Sequence, residues 1–329
     1  MMSIVKERIT SVEKIENNIP EYVYDIEVDN NHMFFANDIL VHNTDSMFLF
    51  IEPVLKSLYG DKYDSISEDE KTEATLKIVR KCSEYINTYI IPEMLKRHNA
   101  GDSELATKYN FTFKEELVIK RAMFLDAKKK YALWIINKEG KKIDDLSITG
   151  MEVVRADFPR FTKQMLQDVI DKILREEYSS FQILNLIDKY IDEYKTRLMA
   201  GDYTLGVPGG WGAREYKVLT KTIRGMKIYN VIYGPTFYEG DRGYTFTISK
   251  VDGSKIKDYD KKLKQMRVEG LLIKNDQIDV ITVPEGVNLD TSIFYPDIDA
   301  MLDIAIYKRL EPIIDIFGIN IDHMDNLTW

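Results

Sequence analysis

His42-Asn43-Thr44-Asp45 places two chemistries within four residues. An asparagine side-chain amide can attack its own backbone carbonyl, closing a succinimide and cleaving the bond to the next residue. The reaction is slow unless a neighbour polarises that carbonyl or protonates the leaving amine, and the imidazole of His42 can do so near neutral pH. Thr44 then offers a hydroxyl able to receive an acyl group by transesterification. One bond further on, Asp45-Ser46 opens the apolar run Met47-Phe48-Leu49-Phe50, which sets a carboxylate, a hard oxygen ligand for a divalent cation, at the start of an expected strand. Taken alone, His-Asn-Thr reads as a loop tripeptide. The segments around it change that reading.

Tyr22 to Val28 carries the aromatic and branched residues of a β-strand, and Asp29-Asn30-Asn31 is a turn signal. His32 to Ala36 is a second strand, Asn37-Asp38 a second turn, and Ile39-Leu40-Val41 a third strand that delivers His42-Asn43. On these residues the first 43 positions resemble the C-terminal half of a split intein of all-β, HINT-like fold. The two family blocks are similar to Val23-Tyr24-Asp25-Ile26-Glu27-Val28 with His32-Met33-Phe34, and to Asn37-Asp38-Ile39-Leu40-Val41-His42-Asn43. The resemblance implies that Asp25 couples the two cleavages, that His32 and His42 assist Asn43, that Asn43 cyclises, and that Thr44 is the downstream nucleophile. No metal is implied for that chemistry. A methionine only 43 residues before the junction points to a separately encoded N-terminal partner carrying the first nucleophile.

The composition bounds the rest. The chain has 329 residues, 44% hydrophobic and 30% charged, which suits two or more globular domains. It contains no run of 18 apolar residues and no secretory pattern, so the expectation is a protein with no membrane partner, in the cytoplasm. Cys82 is the single cysteine, which excludes an intrachain disulfide framework and a Cys-rich zinc site. A net charge of −9 argues against uniform coating of nucleic acid, although local patches decide such binding.

Downstream of the junction, residues 47–51 read as a strand ended by Pro53. Residues 67–98 read as a helix with Ser67 as N-cap, acids in the first turn and a kink at Pro92, covering one face of a sheet. Strands are expected at 111–113, 117–119 and 124–135. Between residues 114 and 142 nine Lys/Arg stand against four Asp/Glu, and Lys128-Lys129-Lys130-Tyr131 runs into an apolar strand able to hold the lysines against a phosphate backbone. Helical spacing recurs at 161–175, 181–199 and 297–317, and strands at 244–251 and 277–283. Gly206 to Gly212 reads as a loop. Arg214, Lys217, Lys221, Arg224 and Lys227, with Tyr216 and Tyr229 interleaved, form a basic stretch suited to duplex backbone.

Thr44-Asp45-Ser46 with its strand is similar to the later part of the Asp-Thr-Asp-Ser palm motif of family B DNA polymerases. Ala127-Lys128-Lys129-Lys130-Tyr131-Ala132 is similar to that family's lysine/tyrosine motif, and Gly150 to Arg155 resembles the segment leading into the thumb. The likeness points to polymerases of T4-like phages. It implies that Asp45 ligates Mg²⁺, with Glu116 as a further palm carboxylate, and that Lys129 and Tyr131 contact primer-template DNA. It implies too that the remaining catalytic aspartates and the dNTP-binding fingers lie on the partner. The C-terminal Met324 to Trp329 is loosely similar to the tail by which related phage enzymes dock on a sliding clamp. The expected architecture is therefore multidomain: an intein half over 1–43, an α/β palm portion over 44–150 and a mainly α-helical thumb over 151–329. The competing class is a non-catalytic nucleic-acid-binding protein carrying a dead intein remnant, which the joint presence of Asp25, His32, His42, Asn43 and the Thr44 hydroxyl disfavours. A self-cleaving domain of hedgehog-like type is disfavoured by the long extension.

Overall fold

The computed structural model describes residues 33–36, 39–42, 48–93, 112–126, 129–151, 153, 158–212, 219–273 and 276–317. Asp25, His32, Asn43, Thr44, Asp45, Lys128, Arg214, Lys217 and the expected clamp-docking tail lie outside these residues. The chain divides into two units, 1–115 and 116–329.

In the first unit, β1 (Met33–Ala36) pairs antiparallel with β2 (Ile39–His42), in the register Met33 to His42 and Ala36 to Ile39. This hairpin is the described part of the expected all-β segment, and its second strand ends on His42. Residues 48–50 are not the expected strand. They carry no regular structure and their side chains are exposed. Pro53 does not end a strand either but sits in the first turn of α1 (Glu52–Tyr59), where a missing N–H costs nothing and the fixed φ suits the helix. Helix α2 (Glu68–Tyr85) starts at a capping box: Ser67 Oγ accepts from Glu70 N at 3.2 Å, and the Glu70 carboxylate accepts from Ser67 N at 2.9 Å. A five-residue π turn, Ile86–Ile90, continues it up to Pro92, whose ring and absent N–H disrupt the preceding turn. None of the α2 residues is buried, so the expected packing on a sheet face is not observed.

The second unit opens with an antiparallel meander of β3 (Leu117–Phe124), β4 (Tyr131–Lys138) and β5 (Lys141–Thr149). Its second turn, Glu139-Gly140, has both φ values positive, the conformation that matches strand twist in a two-residue hairpin. Residues 112 and 113, the described part of the strand expected at 111–113, have no regular structure. Two amphipathic helices follow, α3 (Arg160–Leu174) and α4 (Ser180–Met199), the latter with its own capping box from Ser179 and Gln182. Met165, Leu166, Val169 and Ile170 of α3 face Ile183, Ile187, Tyr194 and Leu198 of α4 within one core, as the spacing predicts.

The described part of 151–329, expected as a mainly α-helical thumb, is helical over most of its regular structure but also contains strands. A four-stranded antiparallel sheet lies in its middle: β6 (Val207–Gly210), then α5 (Lys221–Tyr233), β7 (Arg242–Val251), α6 (Tyr259–Val268), β8 (Val280–Val283) and β9 (Phe294–Pro296), with β7 pairing to the other three strands. The glycine-rich segment expected as a loop is thus partly strand β6. Its glycines are packing residues: a Cβ at Gly209 would stand 2.6 Å from Thr222 Oγ1 at the start of α5, and one at Gly206 would stand 2.8 Å from the Phe246 ring. Helix α7 (Ile298–Leu302), a π turn and α8 (Lys308–Ile314) complete the core through Leu302, Ile306, Leu310 and Ile313.

Candidate nucleic-acid interface

The lysine/tyrosine segment occupies the turn between β3 and β4. Phe124 pairs with Tyr131, their rings are 6.0 Å apart, and Leu125 N donates to Lys130 O at 3.0 Å to close the loop. Met123 and Ala132, the next pair down, are buried in the main core and anchor the hairpin. Lys129 at the tip has φ 59 and an exposed side chain, whereas Lys130 and Tyr131 are half-buried. A left-handed lysine requires that the surrounding chain fix it. Gly150, just after β5, does part of that: its own φ is +68, and a Cβ there would stand 2.1 Å from Lys129 O. The loop also lines a cavity of about 540 Å³ with Asp126, Glu311 and Asp315, so acids border the Lys130 side of the loop.

Not all of the local positive charge is available to a phosphate. Lys120 Nζ lies 4.5 Å from the Trp134 ring centroid, and the indole Nε1 donates to Asp144 at 2.8 Å. Arg175, 3.1 Å from Asp144, shares that cluster. Arg121 is ion-paired to Glu177 and donates to Leu174 O at 3.4 Å, a cation placed at the C-terminus of α3.

Two further expected site residues lie outside the lysine loop. Glu116 is exposed at the opposite end of β3 from the lysine loop, and its carbonyl accepts from Glu139 N at 2.8 Å. Eight residues of strand separate it from Phe124, a distance of roughly 25 Å. Arg224, expected on duplex backbone, is 3% exposed. Its guanidinium forms a bidentate pair with Asp279, one arm at 2.8 Å, and donates to Leu271 O at 3.1 Å. It stands on the face of α5 that packs against β8, where Gly225 leaves room for the Thr282 backbone. Nothing local marks it as a core residue, since the counter-ion is 55 positions away. Lys227, of the same expected basic stretch, lies 5.4 Å from the Trp211 ring, and on α6 Lys261 and Lys264 are exposed while Arg267 pairs with Asp276 at 3.2 Å. Lys262 on the same helix instead caps α5 by donating to Ile232 O at 2.7 Å.

Half-buried Tyr190 and buried Tyr194 of α4 are held neutral. Burial first, and then the hydrogen bond to Asp168 at 2.9 Å, pushes the Tyr190 phenol well above its ordinary range, and burial alone does so for Tyr194. In the first unit, the Arg80 guanidinium, 2.7 Å from Glu115, holds that carboxyl below the usual carboxylate range.

The β3–β4 hairpin thus presents Lys129 exposed in a left-handed turn, above Tyr131 paired with Phe124 and anchored by Met123 and Ala132. Residues 55–206, which include this hairpin and helices α3 and α4, match the family described as DNA polymerase family B. The relatives found are DNA polymerases of Thermococcus rather than of phages. The chain is 32% identical over 167 residues to that of Thermococcus aggregans, covering 51% of this chain and 7% of the relative. It is 32% identical over 169 residues to that of Thermococcus litoralis, 51% and 8%, and 34% identical over 154 residues to that of Thermococcus hydrothermalis, 47% and 7%. The aligned part thus amounts to less than a tenth of each relative's length. Among the described residues no helix is long and apolar enough to cross a membrane.

Proposed function

We propose that residues 44–329 are the C-terminal part of a family B DNA-directed DNA polymerase, and that residues 1–43 are a split-intein half that joins them to a separate N-terminal polymerase chain by trans-splicing. The observation that carries the polymerase reading is the family match over 55–206, which begins eleven residues beyond Thr44 and spans the lysine hairpin. The splicing reading is supported by the set Asp25, His32, His42, Asn43 and Thr44, together with a β1–β2 hairpin that ends on His42. The likeness to T4-like phage enzymes rests on the motifs at 44–46 and 127–132.

In this reading Asn43 cyclises with help from His42 and His32 while Thr44 carries the transferred acyl group. Asp25 couples the two cleavages. In the joined enzyme Lys129, together with Lys128, Lys130 and Tyr131, holds the primer-template backbone, and Arg214 and Lys217 add contacts further along the duplex. Family B polymerases use divalent metals such as Mg²⁺, which when bound activate the primer 3′-hydroxyl and stabilise charge at the α-phosphate of the dNTP. Among the described residues no group of three or more His, Cys, Asp or Glu side chains comes together, and Glu116 offers a single exposed carboxylate. The described residues therefore do not fit Mg²⁺ by themselves. Asp45 would add one carboxylate and the partner chain the others.

Mixing this chain with N-terminal polymerase chains from the same genome and weighing the products by mass spectrometry tests the reading. A ligated product that starts with the partner's residues and continues at Thr44 is expected, and Asn43→Ala should halt the reaction at a branched or upstream-cleaved species. Normal ligation by Asn43→Ala would refute the splicing assignment.

A further inference from the structure

Residues 48–93 and 112–115 are the part of the first unit whose side chains are described. Among its described residues only Leu55 and Ile91 are buried hydrophobics. Apolar side chains just after the junction are instead left in solvent: Leu49 is 48% exposed and Phe50 77%, and in α1 Val54 and Leu58 are 43% and 66% exposed. Val54 and Leu58 are four residues apart and share one face of α1, directly downstream of Phe50, while Glu52 and Lys56 pair at 2.8 Å on another face and Leu55 turns inward. Helix α1 therefore has a polar face, a buried position and an apolar face with nothing described against it. Contiguous exposed apolar residues at this density mark a surface that associates.

We infer that this apolar face, Leu49, Phe50, Val54 and Leu58, is the docking surface for the N-terminal polymerase chain, so that the two polymerase parts associate before their backbones are joined. The inference rests on the trans-splicing reading above and names the contact through which its partner is recognised. The occupant follows from the position of the patch. Ligation attaches the partner's last residue to Thr44, and the six residues from there to Phe50 span at most about 20 Å even when extended. Whatever precedes Thr44 in the joined protein is therefore within reach of this face. The exposed apolar side chains of Leu49, Phe50, Val54 and Leu58 call for burial that a neighbouring polymerase surface can supply.

The experiment uses the full chain carrying Asn43→Ala, mixed with the N-terminal polymerase chain truncated before its intein half so that intein pairing cannot hold the two together. Association is read by sedimentation velocity and titration, alongside ligation of the wild-type chain by the intact partner. A complex is expected, weakened at least tenfold by Phe50→Ser with Leu58→Ser and unchanged by Lys56→Ala, with thermal melting to confirm that each variant is folded. Should the double variant fail to fold, Leu58→Glu alone serves, since that position is already exposed. Ligation without association of the truncated partner overturns the docking inference and leaves splicing intact. Association without ligation sustains the inference and overturns splicing. Equal binding by the patch variants, or self-association of the chain lost on Phe50→Ser, also overturns it.

Discussion

Replacing Gly150 by alanine tests the geometry of the lysine loop. Two costs follow from the structure. The residue sits at φ +68, where an L side chain is disfavoured by about 1–2 kcal/mol. The new Cβ would also stand 2.1 Å from Lys129 O and 2.9 Å from Lys129 C, and both are backbone atoms of a strained turn. Relieving that overlap adds about 1–3 kcal/mol, as overpacking does elsewhere. The sum, about 2–5 kcal/mol, lowers the melting temperature by about 4–20 °C for a unit of this size. Gly270 is the control, because it has φ +66 with nothing within 4 Å of its built Cβ. Gly270→Ala bears only the backbone cost, about 1–2 kcal/mol. The difference between the two variants isolates the contact with Lys129. Differential scanning calorimetry of both, with DNA binding measured across a salt series, reads the two effects. If the loop yields instead of the fold, Gly150→Ala loses less stability, but Lys129 is displaced and DNA affinity falls. A variant that melts with wild type and binds DNA with wild-type salt dependence would falsify the packing of Gly150 against the lysine turn.

Three further outcomes are expected. Asp45→Asn should preserve ligation but abolish primer extension by orders of magnitude in the same purified product, because an amide is a much poorer ligand for Mg²⁺; near-normal extension on a gel assay would remove Asp45 from the metal site. Lys129→Ala in the joined enzyme should weaken primer-template binding and reduce the slope of log affinity against log salt by close to one unit, and an unchanged slope would return the lysines to a solvated face. Asp279→Ala strands the buried Arg224 guanidinium and should destabilise the protein by about 3–5 kcal/mol in denaturant titration, whereas a loss below about 1 kcal/mol would show that the pair is solvent-screened.

The sequence by itself determined what is local. Helices α3 and α4 fall within a residue or two of the periodicity that announced them, because their apolar spacing and the Ser179 cap act over one or two turns. Ser67 and its acids start α2 for the same reason, and the apolar run after Lys130 lies in β4. Tertiary structure decided the rest. Residues 48–50 have the composition of a strand, yet a strand exists only when another pairs with it, and the chain next turns into α1. Gly206 and Gly209 looked like loop residues because their purpose, the close approach of Phe246 and Thr222, involves residues further along the chain. Arg224 belonged in sequence to a basic stretch, and its burial follows from a carboxylate 55 residues away. Glu116 and Lys129 are thirteen positions apart in sequence, but Glu116 precedes β3 and Lys129 lies in the turn beyond its far end. Spacing along a chain fixes which face of an element a side chain occupies; which partner meets that face is settled only when distant segments pack, since charge pairing and steric contact act through space over a few ångströms.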